Sequence, residues 1–211
     1  AAGVFACIAS AMYLMASTRQ ATFVRAEARA DLQQNGRVAL HEIIRWLRMS
    51  GSDPLATGRF GFRDQPIAAA GPPRQFVAVA SAARLRFTLD SNGDGVLQAS
   101  DDEIVGFELD PACAGPPCTL RRLGAGPPQP QADNVARLRF RYFEATGRPI
   151  PNPPPDEFVL TPQERDAVRR IRVEVSVHAP TADGVQAFPL VSEVALRARL
   201  GSDADPMSVV G

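Results

Sequence analysis

Two groups of residues have types and spacings that could do chemistry. Asp90, Asn92 and Asp94, followed by Gly95, Val96 and Leu97, match the calcium-loop pattern D-x-N-x-D-G-x-L. Oxygen ligands would come from the side chains of Asp90, Asn92 and Asp94 and from the Val96 carbonyl, with Gly95 permitting the sharp turn. Asp101 stands at position twelve, a shorter arm than the usual Glu, and Asp102 or Glu103 could substitute for it. The flanks read as strands, so the loop is not part of an EF-hand. The competing reading is a hairpin loop in which Asn, Gly and Asp serve turn geometry alone. A calcium ion here would have a structural use and no catalytic one.

The second group is cysteine. Cys113 and Cys118 form a C-x4-C pair in a Gly/Pro loop. Such a pair is half a zinc site, but no second Cys/His pair completes it. A local disulfide is the better reading, and it would place this part of the chain outside the reducing cytoplasm. Cys7 lies in an apolar run and reads as a small packing residue. His41 and His178 are isolated in sequence. The chain has no G-x-S-x-G, H-E-x-x-H, P-loop or dinucleotide fingerprint, so the sequence points away from an enzyme. The 23 basic residues, all arginine, balance 23 acidic ones. That balance argues against a nucleic-acid partner, which selects a basic excess.

These residues must be held by two kinds of element. The first is a proline-free stretch from Ala1 to about Met49 with a helical pattern. It opens with a charge-free run, Ala1 to Ser17, just short of the roughly 20 apolar residues that a bilayer span takes. The full span is expected to extend upstream of Ala1. About fifty helical residues make a rod of roughly 75 Å, so a head of this size would cover only its second half. Leu32, Leu40, Ile43 and Leu47, with Gly36, share one helical face and form the expected packing stripe. Gly51 and the Asp53–Pro54 pair are expected to end the helix.

The second kind of element is β. Strands are expected at 76–80, 84–90, 103–109, 119–123, 135–144, 170–178 and 189–200, with 124–132 a linker and 146–157 a proline-rich excursion. Alternation of apolar residues with arginine predicts an antiparallel sheet with one solvated face. The apolar face would be covered by the helix stripe.

Ser17-Thr18-Arg19-Gln20, then Leu32-Gln33-Gln34-Asn35-Gly36-Arg37, Ala39-Leu40 and Leu47-Arg48-Met49-Ser50-Gly51 resemble the N-terminal helix of PilW-type minor pilins, members of the type IV pilin-like proteins. The Asn92–Gly95 insert, the strand from Asn134 to Tyr142 and the strand opening at Arg170 follow the same order. The resemblance implies an α+β, pilin-like fold, in which a long N-terminal helix protrudes by its first half and packs by its second half on an antiparallel β-sheet head. It divides the chain into a transmembrane or filament-core helix half (1–27), a globular head (28–200) and a loose tail (201–211).

The function implied is that of a minor pilin, a priming or tip subunit in type IV pilus assembly. Its N-terminus would be methylated after leader cleavage. Its partners would be the major pilin and other minor pilins, met through the helix. The chain would sit in the inner membrane with a periplasmic head and then in a cell-surface pilus. Gly3, Val4, Phe5, Ile8, Met12 and Leu14 would be the filament and membrane contacts, and small residues such as Ala2, Ala6 and Ala9 would let neighbouring helices approach. A minor pseudopilin of a type II secretion system, or a membrane-anchored calcium-binding or adhesive module, are the alternatives.

Overall fold

The computed structural model describes residues 2–68, 72, 74–99, 102–181 and 184–196. Side chains are described at 12, 15, 23, 26 and 27 and from 29 onward, except 179–186. The first helix, α1, runs Ala2–Met49. No proline interrupts it, and it ends where Gly51 takes a positive φ of 71°, a backbone region that glycine enters without a Cβ penalty. The Ser52 N–H then donates to the Met49 carbonyl (2.9 Å), and the Gly51 N–H donates to Thr88 (3.2 Å), fastening the helix end to the sheet.

The strands follow as β1 (Gln65–Ile67), β2 (Arg74–Phe76), β3 (Val79–Ala80), β4 (Leu85–Thr88), β5 (Ile104–Leu109), β6 (Cys118–Leu123), β7 (Gln129–Phe143) and β8 (Pro149–Ile150). A short helix α2 (Pro162–Ala167) precedes β9 (Arg170–Thr181) and β10 (Gly184–Ala195). Strands β1 and β2 pair with each other; the others form one antiparallel sheet of eight strands, ordered β10-β9-β7-β6-β5-β4-β3 with β8 on β7. This sheet curls into a half-barrel.

The expected fold class is corrected here. The molecule is mostly antiparallel sheet curled into a half-barrel, and is not a long helix laid on a sheet. The reason lies in how much of the core the sheet supplies by itself. Among the described side chains of α1, Gly36, Ala39, Ile43, Ile44, Trp46 and Leu47 are buried before its terminal turn, and the helix packs mainly against β9, β10 and β7. Curling, a consequence of strand twist, turns Leu85, Phe87, Phe107, Leu120, Phe140 and Tyr142 into a core shared among strands.

The expectation of one solvated face also fails at β4 and β5. Ile104, Val105 and Phe107 are all buried, so both faces of β5 are covered. The loops before β3 and after β4 make that cover, with Phe60, Phe76, Ala78, Leu97 and Ile104 in a second core. Arg165 staples this layer to the rest. It is 5% exposed and forks onto both Asp64 oxygens at 3.0 Å, while Nη1 also donates to the Ala78 carbonyl. Helix α2, which carries it, is started by Pro162 and a reciprocal cap between Thr161 and Glu164.

The sequence pattern located β3 to β7, β9 and β10 but not their ends, and it missed β1 and most of β2. Strand β7 begins at Gln129, inside the expected linker, and β10 begins five residues before Pro189. The proline-rich excursion contributes β8. Residues 201–211, expected to be a loose tail, lie outside the described residues.

Candidate metal centre

The loop from Asp90 to Glu103 joins β4 to β5. Its first residue is fixed from outside: the buried Asp90 donates its N–H to the Ser52 carbonyl at 2.8 Å, just past the end of α1. The Asp90 carboxylate then folds the loop around itself, Oδ1 accepting from the Gly93 N–H at 2.7 Å and Oδ2 from the Gly95 N–H at 3.0 Å. Both glycines have positive φ, 79° and 72°. At Gly95 space is short as well, since an added Cβ would lie 3.0 Å from Leu55 Cδ1.

Two further side chains face the turn. Asn92 Oδ1 accepts from the Asp94 N–H (2.9 Å), and Asp94 Oδ1 accepts from the Val96 N–H (2.7 Å). Glu103, at 0% exposure, closes the far side, with Oε2 accepting from the Gln98 N–H at 2.8 Å. Its own carbonyl accepts from the Leu89 N–H (3.0 Å), which ties the two ends of the loop together.

The outcome is a cluster in which one carboxylate oxygen each from Asp90, Asp94 and Glu103 lie within 4.8 Å of one another. All the donors are hard oxygens, the class that calcium and magnesium prefer. Three carboxylates, two of them buried, gain from a divalent cation that offsets their mutual repulsion. Such a cluster could hold an ion of this class, whose contribution when bound would be to fix the hairpin.

The sequence-derived ligand set is only partly assembled. Asp90 and Asp94 belong to the cluster, and Asn92 sits beside them in the turn. Val96 is exposed. Asp101 lies outside the described residues. Of its two substitutes, Asp102 turns away to an ion pair with Arg122 at 2.6 Å, and Glu103 enters the cluster. Gln98 was not anticipated. It bridges the two arms, donating its backbone N–H to Glu103 and its side-chain amide to Asp94. The Ser52 carbonyl was also invisible in the sequence, because its role depends on where a distant helix ends.

The other expected sites are placed as follows. Cys113 and Cys118 form a disulfide, with Cα atoms 5.7 Å apart. Ile43 and Leu47 are wholly buried, whereas Leu32 and Leu40 are half-buried. Met12 is exposed, and the side chains of Val4, Phe5, Ile8 and Leu14, like Gly3, lie outside those described. Among the described residues, no helix is long and apolar enough to cross a membrane.

No protein-family model, curated protein or solved structure matches the chain.

Proposed function

We propose that this chain is a structural rather than a catalytic protein, a minor pilin acting as a priming or tip subunit of a type IV pilus. The observation that supports this reading best is the position of Gly36. It is the glycine of the Asn35-Gly36-Arg37 motif that carries the pilin resemblance. An added Cβ there would lie 2.8 Å from both Leu190 Cδ1 and Val177 Cγ1. The motif therefore has a physical job, the close seating of helix on strand. The disulfide adds support, because such bonds persist in the periplasm or at the cell surface.

On this reading the head faces the periplasm, the chain is held at the inner membrane before assembly, and the helix meets the major pilin and other minor pilins afterwards. Deleting the gene lowers the number of surface pili; an unchanged pilus count, with lost export of secreted proteins, would move the assignment to a type II secretion pseudopilin.

The Asp90–Glu103 loop takes calcium in a structural role on the same proposal. It also favours a second reading, a membrane-anchored calcium-binding or adhesive module that makes no filament. Calorimetry of the full chain with calcium should give a binding heat that Asp94→Ala weakens and Glu103→Gln nearly removes. Saturation at about 100 times Kd would add about 2.7 kcal/mol to stability. Absence of both heat and thermal shift would remove the ion from either reading.

A further inference from the structure

A cleft of about 150 Å³ opens between β7, β8 and β9, lined by Arg141, Phe143, Pro149, Ile150, Phe158 and Arg172 among others. Its lining combines apolar residues with two arginines. Arg141 on β7 stands directly opposite Arg172 on β9. Like charges at facing positions of an antiparallel pair repel, so this pairing favours a counter-charge, and Glu174, opposite Arg139 on the same face, lies diagonal to Arg141. One carboxylate supplies part of it: Glu193 Oε2 accepts from Arg172 Nε and Nη2 at 3.1 and 3.0 Å, and Oε1 accepts from Arg170 at 2.9 Å.

A single Glu thus serves two arginines. Arg139, two residues along β7, is taken by Asp156. Arg141 is exposed and, among the described residues, has no carboxylate partner. The guanidinium of Arg172 also lies 5.2 Å from the centre of the Phe143 ring. That contact presents a flat cation beside an apolar wall, and a guanidinium retains donors beyond those that Glu193 occupies.

We propose that this cleft binds a carboxylate carried on an apolar body, with benzoate as the simplest probe. A cavity of this volume holds a benzene ring. The ring would lie against Phe143 and Pro149, which face each other across β7 and β8 on the same side as the arginines, and the carboxylate would bridge Arg141 and the remaining donors of Arg172, relieving their repulsion. This ligand class goes beyond the pilus reading and does not depend on it.

The test is an NMR titration of the full chain with benzoate. The Pro149 and Phe143 ring signals shift, with a Kd on the order of 1–10 mM for so small a ligand. Arg141→Gln, at an exposed position, raises Kd about tenfold. Benzamide, which has the same shape and no charge, binds the unaltered protein weaker by a similar factor, a comparison independent of any variant. The proposal is overturned if neither signal moves, if benzamide matches benzoate, or if Arg141→Gln leaves Kd unchanged.

Discussion

Gly36→Ala offers a test whose sign, not just its size, depends on the packing of α1. In a helix face open to solvent, replacing glycine by alanine stabilises by about 1 kcal/mol, because the unfolded chain loses freedom and the helix gains propensity. Here the new methyl would stand 2.8 Å from Val177 Cγ1 and Leu190 Cδ1, closer than carbon atoms tolerate. Leu190 is half-buried on an edge strand and can turn its tip. Val177 cannot: it is wholly buried in β9, and its β-branch leaves few rotamers. Either the helix lifts off β9 or the strand shifts, and overpacking of this kind costs about 1–3 kcal/mol.

Set against the propensity gain of about 1 kcal/mol, the net effect is a loss of roughly 0–2 kcal/mol. Urea unfolding of the full chain measures it, and Asn35→Ala on the exposed side of the helix is the control. Adding Val177→Ala to Gly36→Ala should recover about 0.5 kcal/mol or more of the expected sum, because the two residues touch. A Gly36→Ala protein that is more stable by about 1 kcal/mol, with no coupling to Val177, would refute the close approach.

Arg165→Met should destabilise the protein by about 3 kcal/mol, since it strips the Asp64 carboxylate and the Ala78 carbonyl of a buried partner; a loss below about 1 kcal/mol in urea unfolding would show that water replaces the guanidinium. Asp64 has its pKa lowered from 3.8, first by the Arg165 hydrogen bond, with burial opposing. Its contribution is therefore complete above the unfolded value and lost as pH falls through the lower folded one. Asp64→Asn should flatten stability across that acid range, and an unchanged acid limb would contradict the assignment. Reducing the Cys113–Cys118 bond, which closes a loop of sequence separation 5, should cost about 2 kcal/mol; a melting temperature insensitive to reductant would show that the loop is ordered without it.

What a sequence makes legible is what repeats locally. The alternation of Ile171, Val173, Val175 and Val177 shows directly as a strand, and all four are buried. The C-x4-C spacing admits few pairings, and the disulfide was therefore legible. The helix stripe was harder. Of the expected stripe, Gly36, Ile43 and Leu47 are buried, Leu32 and Leu40 are only half-buried, and Ala39, which was not expected, is buried. Small residues let the helix come close, and hydrophobicity alone gives them little weight.

The fold class was misjudged for a related reason. A long helical pattern suggested a cover for the sheet, but how far a helix covers a sheet depends on where the sheet curls. Curling is set by strand order and by non-local packing such as Arg165 on Asp64, 101 residues apart. The metal loop shows both limits in one place. Its turn residues are a local pattern and could be read. The choice of Glu103 over Asp102 could not, because it depends on Arg122, 20 residues further on, drawing Asp102 outward. Arg122 also stacks over Trp46, 4.4 Å from its guanidinium to the ring centre. The same arginine therefore touches the helix and holds the wrong carboxylate away from the loop. Replacing it should loosen the loop and the helix together, a coupling that no run of neighbouring residues encodes.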